Sequence, residues 1–159
     1  MPDLILVIGP CGAGKTTYAR THYPQYLHVD YERLIQSLFA EPAHFRFYPH
    51  VRTCGALLFD AAARHLIAKR QNVCLTLGGA TRQERAKYVD LAFDTNMDAH
   101  CIRLLVDRDT CISRAKADTL RPVSSRPSWQ GVVDHWFAAW EPVDAVQEGF
   151  ASYQEIENG

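Results

Sequence analysis

Leu4-Ile-Leu-Val-Ile8, running directly into Gly9-Pro-Cys-Gly-Ala-Gly14-Lys15-Thr16, is the stretch on which the fold turns. Five apolar residues without polar alternation read as a strand buried on both faces, the habit of a parallel sheet. The eight residues after it match GxxxxGK[ST], and the segment Lys15 to His22 that follows reads as a helix closed off by Pro24. Gly12 and Gly14 allow the backbone to curl so that successive N–H groups converge on phosphate oxygens. The helix N-terminus adds its partial positive charge. Lys15 can bridge β- and γ-phosphates, and the Thr16 hydroxyl can ligate Mg2+. The expected nucleotide cradle is Gly9, Cys11, Gly12, Ala13, Gly14, Lys15, Thr16 and Thr17, with ATP and Mg2+ as cofactors. Cys11 fills a variable loop position and is given no chemistry. A chance glycine turn between strand and helix is the alternative, but here the full motif stands in its full context.

Working outward, Tyr26–Val29 reads as a second strand, Val73–Leu77 as a third, Cys101–Val106 as a fourth and Ser152–Ile156 as a weak fifth. Helical segments separate them. Asp30 opens one with Leu34, Ile35, Leu38 and Phe39 on one face. A loop from Glu41 to Pro49 leads to a long one whose apolar stripe reads Val51, Cys54, Leu58, Ala61, Ala62, His65 and Leu66. Thr81 and Glu84 form a capping box. Ser128 can cap a last helix carrying Trp129, Val132, Val133, Trp136, Phe137 and Trp140. Strands alternating with helices predict an α/β three-layer fold: a mainly parallel five-stranded sheet, one domain over 1–159, and a helical lid at about 112–127.

Composition narrows the function classes. With 47% hydrophobic and 22% charged residues, the 159-residue chain can bury a real core and is not an intrinsically disordered one. No apolar run is long enough to span a membrane, and no signal peptide is visible. Five cysteines, an odd number without a CxxC pair, imply a reducing, cytoplasmic setting without disulfide framework or zinc site. The net charge of −1 hides an asymmetry: residues 1–126 hold 17 Lys+Arg against 12 Asp+Glu, a net of +5, and residues 127–159 hold six acids and no base. That split suits an anionic substrate, or arises by chance. Oligomeric state is not legible.

A nucleotide cradle does not say what is done with the nucleotide. A GTPase would carry an NKxD base reader and a DxxG switch, and neither is present. Asp107, after the fourth strand, imitates a metal-binding acid but reads better as the next helix's N-cap. What remains is a kinase, which needs a base for the acceptor hydroxyl. Asp30 ends the second strand at the edge where open α/β sheets bind ligands; it is either that base or an ordinary N-cap. Arg33, one turn on, can hold an acceptor phosphate or be solvated. Arg114 and Arg121, on a helix end and an irregular loop, form either a lid that neutralises γ-phosphoryl charge or a basic surface. The stretch His44-Phe-Arg-Phe-Tyr-Pro-His50 suits base stacking or simple packing. His22, His28, His65, His100 and His135 show no ligand spacing and are read as structural.

With these residues placed, the chain resembles the P-loop phosphotransferases of the bacteriophage and bacterial polynucleotide 5′-kinase type. The motif Gly9 to Thr16, the step Val29-Asp30-Tyr-Glu-Arg33, the stretch Thr81-Arg-Gln-Glu84-Arg85, and Phe137-Ala-Ala-Trp-Glu-Pro142 followed by Glu148-Gly-Phe150 carry the resemblance. It implies Asp30 as general base, Arg33 as acceptor contact, and Arg114 and Arg121 in the lid. It further implies a nucleic-acid hydroxyl as acceptor, at a 5′ end or on a hydroxymethyl-pyrimidine within DNA. One departure stands out: Gly78-Gly79 occupies the place where the phage enzyme has an acid. A kinase for a nucleoside, metabolite or antibiotic is the competing expectation, and a nucleotide-binding regulatory module a third.

Overall fold

The computed structural model describes residues 1–44, 49–118 and 128–159. Strands β1 (Asp3–Ile8), β2 (Leu27–Asp30), β3 (Val73–Leu77), β4 (Asp98–Leu105) and β5 (Ser152–Glu157) form one 5-stranded sheet. Its order is β2-β3-β1-β4-β5, and every pairing is parallel. The helices are α1 (Lys15–His22), α2 (Tyr31–Ser37), α3 (Pro49–Ala68), α4 (Arg82–Asp94), α5 (Arg108–Ala117), α6 (Trp129–Ala139) and α7 (Ala145–Glu148). A short 3-10 turn, Pro42–His44, precedes the undescribed residues 45–48.

β1 is continuously apolar because it is central and covered on both sides. Leu4, Leu6 and Ile8 face a core shared with Phe59, Ala63 and Ile67 of α3 and Val89 and Ala92 of α4. Ile5 and Val7 face the opposite core, with Ala19 of α1, Cys111 and Ile112 of α5 and Val133 of α6. This is the three-layer arrangement the alternating pattern predicts, and it brings the carboxyl ends of β1, β2 and β3 to one edge.

Local signals fix the helix starts. Asp30, Thr81, Asp107 and Ser128 each accept a backbone N–H of the following first turn. Glu84 completes its capping box one residue early, accepting the N–H of Ala80 at 3.1 Å. Asp107 is engaged as a cap, taking the N–H of Thr110 at 2.9 Å and its hydroxyl at 2.6 Å.

The expected face of α3 is corrected. The buried positions are Gly55, Phe59, Ala63 and Ile67, while Cys54, Leu58, Ala61 and His65 are exposed. The helix turns to put Gly55 against α2, where an added Cβ would sit 2.2 Å from Ile35 Cδ1. A glycine has no hydropathy signal, so a stripe read from apolar side chains misses the point of closest approach. The expected lid lies partly outside the described residues: 112–118 belong to α5 and its C-cap, and 119–127, with Arg121, are not described.

Candidate active site

The P-loop is shaped by contacts that only its glycines permit. Gly12 has φ 83°, and a Cβ there would lie 2.2 Å from the carbonyl oxygen of Cys111 in α5. Gly14 has φ 86° and lies against Asn158, whose Nδ2 donates to the Ala13 carbonyl at 2.7 Å. The Gly9 N–H donates to the Gly78 carbonyl at 3.2 Å, tying the loop to the end of β3. Lys15 is buried, and its Nζ donates to the carbonyls of Gly9 and Pro10, each at 2.8 Å. Ala13 is fully buried and Thr17 exposed.

Asp30 is 5% exposed and holds two roles at once. One carboxylate oxygen accepts the N–H groups of Glu32 and Arg33, capping α2. The other accepts the Thr16 hydroxyl at 2.5 Å. The motif threonine and the strand-end acid are therefore one unit. Beside them, in register with Asp30 on β3, the buried Thr76 hydroxyl has no hydrogen-bond partner among the described residues. A hydroxyl, a carboxylate and a second hydroxyl make a hard-oxygen set suited to Mg2+, which keeps most of its shell from phosphate and water. Thr16 and Asp30 would hold that ion, and the P-loop amides and Lys15 the phosphates of ATP.

Next to this unit opens a cavity of about 560 Å3. Cys11 and Lys15 of the P-loop, Tyr31 and Glu32 of α2, Arg52, Phe59 and Asp60 of α3, Thr76 to Ala80, Glu84, Lys87 and Tyr88 of α4, and His135 and Trp136 of α6 line it. Glu32 reaches the P-loop directly, its Oε1 accepting the Cys11 thiol at 3.3 Å. Asp30 is not among the lining residues, and neither is Arg33, which is exposed and touches Asp30 through its backbone. Arg114 is exposed and donates to the carbonyl of Asn158 at 3.0 Å, holding the chain's last residues against the P-loop.

Glu32, Arg52, Lys87 and His135 line the cavity but were not singled out as site residues from sequence, His135 being read as structural. Their positions on four helices meet only through the fold. Only the D-x-E spacing of Asp30 and Glu32 offered a local signal.

The wall at Gly78–Ala80 is pinned from behind. Arg85, fully buried, donates to the carbonyls of Gly79 (2.8 Å) and Ala80 (3.2 Å) and forks onto both oxygens of Glu148 at 2.7 and 3.0 Å. From the other side the Trp136 indole N–H donates to the Gly78 carbonyl at 2.9 Å. The glycines leave the cavity floor to backbone and to the flank of Trp136.

A family model described as an AAA domain matches residues 4–124, from β1 through α5. The chain belongs to the AAA domain family. Solved structures show the P-loop kinase form of this fold. One is a protein from Chloroflexus aurantiacus provisionally classed as a kinase: 14% identity, TM-score 0.69, covering 98% of this chain and 88% of that one. A gluconokinase from Sinorhizobium meliloti follows at 17% identity and TM-score 0.62, covering 99% and 83%. A chain of an RNA repair complex is similar at 16% identity and TM-score 0.57, covering 87% of this chain but 43% of that one. No curated protein sequence matches. This AAA domain shares with those structures the α/β fold in which a central parallel strand runs into the P-loop. No described helix is long and apolar enough to cross a membrane.

Proposed function

We propose that this chain transfers the γ-phosphoryl group of ATP to a hydroxyl of a small polar acceptor seated in the cavity beside the P-loop. The cavity carries the reading. At about 560 Å3 it lies within the usual range for small-molecule sites. Its lining interleaves Glu32, Asp60 and Glu84 with Arg52 and Lys87, where a polynucleotide groove would present a continuous positive track. The similarity to a gluconokinase over nearly the whole of both chains supports the same reading.

In this mechanism ATP supplies the phosphoryl group, and Mg2+, held by Thr16 and Asp30, would supply charge neutralisation on its phosphate oxygens. Lys15 and the P-loop amides hold those oxygens. Asp30 fixes the Thr16 hydroxyl, and the two would hold the metal. Glu32, on the cavity side, takes the acceptor's proton as its oxygen bonds to the γ-phosphorus and the bond to the β-phosphate oxygen breaks. Glu32 thus takes the base's role expected of Asp30, two residues away. Arg121, which lies outside the described residues, belongs to the reading as a cation offsetting charge on the transferring group.

A nucleic-acid acceptor is the second reading, favoured by the net +5 of residues 1–126 and by the likeness to an RNA repair complex chain. ADP release measured with and without a panel of small hydroxy compounds and of 5′-hydroxyl oligonucleotides tests both. Turnover that needs a small acceptor supports the first reading. Turnover that needs the oligonucleotide replaces it. ADP release at the same rate without any acceptor, which is transfer to water, makes it an ATPase, and no turnover with any member leaves only a nucleotide-binding module.

A further inference from the structure

The charged groups lining the cavity are not equally engaged. Glu84 Oε2 accepts the Ala80 N–H at 3.1 Å. Asp60 accepts the Tyr88 hydroxyl at 3.3 Å and Arg64 Nε at 2.8 Å. Glu32 accepts the Cys11 thiol, and Lys15 is held by two P-loop carbonyls. Arg52 and Lys87 differ. Both line the cavity, one from α3 and one from α4. Among the described residues neither side chain makes a hydrogen bond or ion pair, and no carboxylate lies within salt-bridge distance of either.

Arg52 and Lys87, on different helices but facing one cavity, are the two lining cations whose side chains no described hydrogen bond or ion pair engages. A carboxylate or phosphate oxygen is the group that complements them, because a hydrogen bond to a charged partner is worth more than a neutral one. We infer that the acceptor is a hydroxy compound bearing one compact anionic group, carboxylate or phosphate monoester, gripped by Arg52 and Lys87. This rests on the reading that the cavity holds the acceptor. Tyr31 and Tyr88 line the same cavity; their hydroxyls donate to the Arg52 carbonyl and to Asp60, and keep lone pairs for an acceptor's remaining hydroxyls.

The test separates binding from turnover. The full chain, with ADP and Mg2+, is titrated with four- to six-carbon aldonates, with the matching neutral alditols and with the alditol phosphates, following tryptophan fluorescence. Anionic members should bind at least about 10-fold more tightly than their neutral partners. Whether aldonates or phosphates bind identifies the source of the anion. The double substitution Arg52→Gln with Lys87→Gln should abolish that preference and leave ADP affinity unchanged. Both side chains are exposed, so the fold should survive.

Equal affinity for alditols and their anions, no anion binding at all, or anion affinity retained by the double variant would overturn the inference. Phosphoryl transfer is then measured on the same panel. Transfer to a neutral alditol as fast as to its anion removes the anion site and keeps the kinase. Anion binding lost in the double variant, with no transfer to any member, keeps the anion site and removes the kinase reading.

Discussion

Asp30→Asn and Glu32→Gln, made separately, should fail in different ways. The amide of the Asp30→Asn variant keeps the oxygen that accepts the N–H groups of Glu32 and Arg33, so α2 remains capped and thermal stability should hold. It loses the charged acceptor for the Thr16 hydroxyl, a 2.5 Å bond. A charge-assisted hydrogen bond of this kind is worth about 1.5–3 kcal/mol, so the Mg2+ concentration for half-maximal rate should rise roughly 10- to 150-fold. Glu32→Gln keeps the shape and the contact with Cys11 but cannot take a proton. Its kcat should fall roughly 10²–10⁴-fold, with Mg2+ and ATP requirements unchanged. Single-turnover transfer across a Mg2+ series reads both. A Glu32→Gln enzyme with wild-type kcat, beside an Asp30→Asn enzyme whose loss excess Mg2+ does not restore, would refute this division and return the base to Asp30.

Three further outcomes follow. Lys15→Ala should reduce transfer by at least roughly 100-fold, the scale of one lost transition-state donor, as read by steady-state ADP release. Arg85→Ala leaves Glu148 buried without its counter-charge and two wall carbonyls without a donor, so urea unfolding should show a loss of about 3–5 kcal/mol. Of the five free cysteines only Cys54 is exposed, and burial pushes the Cys74 and Cys101 thiols up to about 12; a thiol reagent at pH 8 should label Cys54 quickly and Cys74 and Cys101 only on unfolding.

Signals that act locally were legible in the sequence. An unbroken apolar run meant a central parallel strand, and Gly12 and Gly14 sit at the positive φ their places in the loop require. Cap residues marked the starts of α2, α4, α5 and α6 because a cap is a contact between near neighbours. The cavity beside the P-loop was much less legible. It is assembled from α2, α3, α4 and α6, so Arg52, Lys87 and His135 carry no shared spacing that could announce them. Gly55 hid the true face of α3 for a related reason: it packs by lacking a side chain. Asp30 was legible as a strand-end residue opening α2; the hydrogen bond it accepts from Thr16 was not, because that contact joins β2 to α1 through the tertiary fold.

The most direct test of the account is transfer from γ-labelled ATP, with Mg2+, to small hydroxy acids and sugar phosphates on one side and 5′-hydroxyl DNA and RNA on the other, with Lys15→Ala as the control. The account predicts label in a small phosphorylated product, none on the oligonucleotides, and loss of the signal in the control. Label on a polynucleotide end, with none on any small acceptor, would contradict it.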